Sequence, residues 1–199
     1  MAQCPGLFRQ KLNRALAAPF TPGYTGKKGA IAVRDTLDTL DFLSDYREDN
    51  RIEAKRAQGG LPHSLWETYS AFANTLGGVI LLGVAEGDDK SLYSVPLFDP
   101  QELVDEFWSM VNDPKVVSTN ILQPEDVQIV SSGHNPIVAI FVPRADFRRR
   151  PVYLGEDPFT GTYYRRGEGD CRCPRHEVEA MLRDRTDPNP LAGLGPVSR

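Results

Sequence analysis

A glycine pair, Gly77-Gly78, stands between two segments of opposite habit, and it constrains the fold more than any other feature of the chain. Upstream of it, Leu65, Tyr69, Phe72, Ala73 and Leu76 recur at the spacing of one face of an amphipathic helix. Downstream, residues 79–84 are apolar or glycine with no alternation, the pattern of a strand covered on both faces. Glycine closes a helix because the left-handed backbone required there costs it nothing sterically. Ser64-Leu65-Trp66-Glu67 reads as a capping box, the hydroxyl serving the N3 amide and the Glu67 carboxylate reaching back, so the helix starts there. Before it, residues 51–56 alternate Ile52 and Ala54 with charged side chains, a strand with one face on a core. Gln58-Gly59-Gly60 then lets the chain turn. This order of strand, helix and strand is that of a right-handed crossover between parallel strands, within a sheet that is parallel or mixed.

The remaining pattern extends the same domain. Residues 100–111 carry Leu103, Val104, Phe107, Trp108 and Val111 on one helical face, with Asp99 placed to cap the start. Residues 127–130 and 137–142 predict two antiparallel strands around a turn at Ser132-Gly133-His134-Asn135. A further strand is expected at 161–166 and a last helix at 174–183, with proline in its first turn. Ahead of the domain, residues 5–18 place Leu7, Phe8, Leu12, Ala15 and Leu16 at helical spacing, 21–28 form a Gly, Pro and Lys linker, and 34–46 predict a second helix. The expected organisation is an N-terminal helical extension and linker over 1–46, a mixed α/β (α+β) single-sheet domain with packed helices over 47–184, and a Pro and Gly rich flexible tail over 185–199.

Composition narrows the function classes. No apolar run approaches the roughly 20 residues of a membrane-spanning helix, and the N-terminus lacks the apolar stretch and small-residue cleavage site of a secretory signal. Three cysteines, with Cys171 and Cys173 two apart, do not form the paired framework of a secreted domain, so a cytoplasmic protein with reduced thiols and no membrane partner is expected. The net charge of -4 gives no global attraction for nucleic acid, and any such binding must come from a local basic face.

Three pieces in order carry a family resemblance: Glu48-x4-Glu53-x-Lys55, then residues 70–86 (SAFANTLGGVILLGVAE), then residues 151–170 (PVYLGEDPFTGTYYRRGEGD). Together they resemble the Schlafen-type AlbA domain over about residues 47–184, and the middle piece is the most specific. The resemblance implies a mixed α/β domain of the kind found in prokaryotic transcriptional regulators, often followed by C-terminal modules, and in animal Schlafen proteins. Some animal members cleave RNA with three acidic residues, while others bind nucleic acid. A DNA-binding or RNA-binding module and a nuclease are therefore both implied.

By that resemblance Glu48, Glu53 and Glu86 fall at the positions of the acidic triad. Three converging carboxylates would hold Mg2+ or Mn2+, which activates water and stabilises charge on the scissile phosphate. The sequence departs from the family pattern at Ala54, where a Phe is usual, and at Ala85-Glu86, where the family has Asp-Asp. On a regular strand, residues five apart face opposite ways, so Glu48 and Glu53 share a site only if Asp49-Asn50 turns or bulges. The competing expectation is that Glu53 and Lys55, two apart on one strand face, form surface ion pairs with neighbours, with Glu86 a solvated loop acid.

Basic residues supply the other reading. Lys55 and Arg56, Arg144, the run Arg148-Arg149-Arg150, and Arg165-Arg166 could contact phosphates, with Phe147, Tyr153, Tyr163 and Tyr164 near for stacking on unpaired bases. Strand alternation allows only one of Arg165 and Arg166 to face the ligand. Acids interleave with them at Asp146, Glu156, Asp157, Glu168 and Asp170.

Other motifs carry less. Gly77-Gly78 lies after a helix and before a strand, the reverse of a phosphate-cradling loop, and Cys171-x-Cys173-x2-His176 lacks the second knuckle of a zinc site. Asn74 and Thr75 are expected to bond the glycine turn. The preferred expectation is a nucleic-acid-binding domain of a transcriptional regulator. A divalent-metal-dependent endoribonuclease stands second and a protein-interaction scaffold third, with a homodimer and a downstream regulatory module compatible with the first.

Overall fold

The computed structural model describes residues 51–130 and 135–186. Glu48, the two helices expected over 5–18 and 34–46, most of the turn after residue 131 and the tail from 187 lie outside the described residues. Strands β1 (Ile52–Lys55), β2 (Gly78–Leu82), β5 (Val127–Val130) and β6 (Ile137–Val142) form a four-stranded sheet in the order β1-β2-β6-β5. β1 and β2 run parallel, joined by helix α1 (Ser64–Asn74), while β6 is antiparallel to both β2 and β5, so the sheet is mixed. Helix α2 (Pro100–Val111) starts where Asp99 accepts hydrogen bonds from the Gln101 and Glu102 amides at 2.9 and 3.0 Å.

Both faces of the sheet are buried, which is why its central strands do not alternate in sequence. Ile80 and Leu82 of β2, with Val138, Ile140 and Val142 of β6, face the core shared with α1 and α2. Their neighbours Val79, Leu81, Ile137, Ala139 and Phe141 face a second core with Ile52, Val84 and Leu92. In the first core Trp66 stacks on Phe107 at 5.5 Å between ring centroids, and Phe107 meets Trp108 edge-on. A stacked pair of this kind contributes about 0.5–1.5 kcal/mol beyond the area it buries.

Several boundaries differ from the sequence expectation for identifiable reasons. The apolar run 79–84 is not one strand: it breaks at Gly83, with φ +79°, where a Cβ would sit 2.8 Å from the Leu97 side chain. The chain then re-enters as β3 (Val84–Glu86), paired with β4 (Leu92–Ser94) in a separate hairpin. Gly77 closes α1 as expected, at φ +74°, and a Cβ there would meet the Val142 carbonyl at 2.8 Å. Leu76 falls beyond the helix and is 46% exposed, so it is not a core residue. The capping box at Ser64 is not made: His63 holds the cap position, no side chain caps the helix, and Glu67 instead accepts from the Tyr163 hydroxyl at 3.1 Å.

Toward the C-terminus, a single turn of helix α3 (Pro158–Gly161) precedes strand β7 (Tyr163–Arg166), which pairs with β8 (Gly169–Arg172). Helix α4 (Arg175–Thr186) follows and takes in residues 185 and 186, which the sequence assigned to the tail. No helix among the described residues is long and apolar enough to cross a membrane.

Candidate nucleic-acid interface and carboxylate site

β1 sits at the edge of the sheet, and its register with β2 sets the direction of its charges. Glu53 pairs with Ile80 and Lys55 with Leu82, so both charged side chains turn to the helix-covered face at its rim. There the β7-β8 hairpin lies across α1 and delivers Arg165 to them. Its Nη2 donates to Glu53 Oε2 at 2.8 Å and its Nη1 to Asp170 Oδ1 at 2.8 Å. Lys55 Nζ donates to Glu53 Oε1 at 2.9 Å and to Ser64 Oγ at 3.1 Å, and Thr68 Oγ1 donates to Asp170 Oδ2 at 2.6 Å. The Arg165 guanidinium also lies 5.2 Å from the centre of the Phe72 ring.

The Arg165 side chain is 2% exposed and that of Lys55 10%. Burial works against the Arg165 charge, but the Asp170 and Glu53 carboxylates outweigh it and hold the guanidinium above its ordinary range. Two cations against two carboxylates make a neutral cluster that needs no ion from outside.

That arrangement bears on the expected acidic triad. Both oxygens of Glu53 are engaged by cations, and Glu86, at the end of β3, accepts from Lys90 Nζ at 2.7 Å across its own hairpin. Among the described residues no three His, Cys, Asp or Glu gather as metal ligands. As they stand, the described residues do not fit Mg2+ or Mn2+ at Glu53 and Glu86.

The basic residues divide into two groups. Lys55 and Arg165, expected at phosphates, are committed inward. Arg56, Arg144, Arg148, Arg149 and Arg166 are exposed, and none has a carboxylate ion-pair partner among the described residues. Of the Arg165-Arg166 pair, alternation turns only Arg166 outward. Arg148 and Arg149 ride on a 3-10 turn (Phe147–Arg149) whose start is held by Asp146, accepting from the Arg148 amide at 2.9 Å. Arg148 extends over the Phe147 ring at 5.3 Å. Arg150 is half-buried, and its pKa is lowered by burial and then by Arg144, while Asp184 and Asp146 oppose the shift. Tyr163 is in the core, whereas Tyr153 and Tyr164 are partly exposed.

Residues not singled out as functional hold this site together. Ser70 and Asn74, four apart on the buried face of α1, are its polar row. Asn74 Nδ2 donates to the Val152 and Tyr163 carbonyls at 2.7 and 3.0 Å, and Asn74 Oδ1 accepts from the Val152 amide at 2.8 Å. Ser70 Oγ donates to the Val152 carbonyl at 2.7 Å and accepts from the Tyr163 amide at 3.0 Å, while Thr75 Oγ1 accepts from the Arg165 amide at 3.0 Å. Asn74 and Thr75 thus bind the β7 segment and not the glycine turn. The signal for this was present as polar residues interrupting an apolar helix face. Cys173 is buried, and burial with the neighbouring Glu177 pushes its thiol up to about 12, so that it is protonated at neutral pH.

The family model described as Schlafen, AlbA_2 matches residues 48–174. Among solved structures, the chain is similar to the N-terminal domain of a Nitrosomonas europaea protein described as related to the ATP-dependent DNA helicase RecG, at 34% identity and a TM-score of 0.51, covering 71% of this chain and 94% of that one. A Corynebacterium diphtheriae protein also matches, at 16% identity and a TM-score of 0.45, over 90% of this chain and 29% of that one, a likeness too weak to argue from. Comparison with curated proteins gives no match.

Proposed function

Because this chain belongs to the Schlafen, AlbA_2 family, we propose that it is a nucleic-acid-binding domain, the DNA- or RNA-contacting module of a transcriptional regulator. The observation that carries the reading is the division of the cations. Those used for internal structure, the partly buried Lys55 and the buried Arg165, are paired with carboxylates, while Arg56, Arg144, Arg148, Arg149 and Arg166 are exposed without ion-pair partners among the described residues. The likeness to a domain of a helicase-related protein supports the same reading. Arginine suits the role because its planar fork matches phosphate oxygens.

Fluorescence anisotropy with a labelled single-stranded and a duplex oligonucleotide tests it. Affinity is expected to fall steeply between about 50 and 200 mM salt, and Arg148→Gln with Arg149→Gln to flatten the slope by roughly one unit for each phosphate no longer neutralised. A salt-independent affinity, or a slope untouched by both substitutions, would remove the phosphate contacts.

The nuclease reading makes an opposing prediction. It requires Glu48, Glu53 and Glu86 to act on one Mg2+ or Mn2+, and Glu53 would first have to release Lys55 and Arg165. Incubation of structured RNA with Mn2+ is expected to give no cleavage beyond that of a Glu53→Gln variant. Cleavage by the parent chain that Glu53→Gln abolishes, with the variant still folded, would favour the nuclease.

A further inference from the structure

Away from the basic surface, the turn at residues 57–60 and the start of α2 enclose an open cleft of about 290 Å³ lined by Ala57, Gly59, Leu97, Phe98, Leu103 and Glu106, with Asp99 and Glu102 at its border. Phe98 is 96% exposed at its mouth. Burying a phenyl ring of this kind is favourable, and the described residues leave it uncovered. Glu102 and Glu106, four apart on the exposed face of α2, take no ion pair among the described residues, while the Asp99 carboxylate is engaged with the α2 amides. The surroundings share this sign: residues 86–126 hold ten acids against two bases.

The complementary partner is in the same chain. Residues 1–33 hold five cations and no acid, and 5–18 combine Arg9, Lys11 and Arg14 with Leu7, Phe8, Leu12 and Leu16 at helical spacing. The geometry points to residues 5–18 as the occupant of this cleft, an intramolecular contact in which the apolar stripe covers Phe98 and Leu97 and the flanking cations meet Glu102 and Glu106. Reach does not limit it. The stretch from 19 to 51 exceeds the span required, even with the helix expected over 34–46 rising only about 1.5 Å per residue. The cleft opens just beyond the C-terminal end of β1, about 13 Å from where that stretch enters the strand.

The native Cys4, just ahead of the segment, provides the test. The full chain carrying Cys171→Ser is labelled there with a nitroxide, the buried Cys173 thiol being unreactive. The amide signals of Gly59, Gly60 and Phe98 are expected to lose about half their intensity or more, and to recover in Glu102→Lys with Glu106→Lys and in high salt, which screens exposed charges. Both glutamates are exposed, and unchanged signals from the sheet amides would show that the variant is folded. Undiminished cleft signals in the parent chain would overturn the proposal, as would broadening that survives charge reversal. Broadening found only between molecules, in a mixture of 15N-labelled and spin-labelled chains, would assign the cleft to a second copy and overturn the intramolecular contact.

Discussion

Asn74→Ala is expected to lower the stability of the domain by about 3–4 kcal/mol, close to the largest effect a single polar side chain can have here. The side chain sits at the C-terminal end of α1 and makes hydrogen bonds to both backbone groups of Val152 and to the Tyr163 carbonyl. The Val152 carbonyl keeps the Ser70 hydroxyl as a donor, so the loss is that of two bonds at about 1 kcal/mol each plus about 1–2 kcal/mol for desolvating the stranded Val152 amide. For a domain of this size the loss corresponds to a fall of roughly 10–15 °C in Tm. Asn74→Asp should be no better, because it replaces the donor facing two carbonyls with a carboxylate. Thermal unfolding followed by circular dichroism checks both variants against Gln101→Ala, an exposed substitution on α2 expected to change stability by less than about 0.5 kcal/mol. A Tm for Asn74→Ala within two or three degrees of the parent would show that the two segments are held by other interactions.

Arg165→Met has the second largest expected effect, about 3 kcal/mol of destabilisation. Removing the cation leaves Asp170 with only the Thr68 hydroxyl and Glu53 with only Lys55 among the partners described above. A double-mutant cycle with Asp170→Asn should return a coupling of about 1–3 kcal/mol, because the two groups are in contact and withheld from water. The same substitution separates two roles for this arginine. As an internal tie it changes stability first, and binding only through loss of fold. As a phosphate ligand it would weaken binding at unchanged Tm. Its neighbour Arg166, exposed on the same strand, provides the reference: Arg166→Gln should leave Tm in place.

The elements legible in the sequence were those whose pattern is local. The α1 stripe, the Gly77 stop, the Asp99 cap and the two antiparallel strands each depend on neighbours within a few residues. Elements that depend on distant partners were not legible. β8 is Gly-Asp-Cys-Arg with mostly polar side chains, and it becomes a strand only because β7 pairs with it. At Gly83, where φ is +79°, the missing Cβ leaves room for the Leu97 side chain, a contact fourteen positions away that nothing in residues 79–84 announces. The capping box failed because Ser64 and Glu67 each found a tertiary partner, Lys55 and Tyr163, that displaced the local arrangement. In the candidate site the placement of Glu53 and Lys55 on one strand face, and their engagement in ion pairs, were foreseeable from their spacing. Their union with Arg165 was not, since it joins positions 112 residues apart.

The polar row on α1 and the Arg165 cluster have a joint consequence for motion. The β7-β8 hairpin is fastened to the core along its backbone, by Ser70, Asn74 and Thr75, and through its side chains, by Glu53 and Thr68. A two-stranded ribbon with so little apolar surface would ordinarily fray ahead of the rest of a domain. Tied at these points it is expected to share the cooperative unit of the sheet, its amides exchanging with solvent only as the domain opens, which native-state hydrogen exchange checks. Arg166 is then carried on a backbone that is already ordered before any ligand arrives, so association does not have to immobilise the ribbon first.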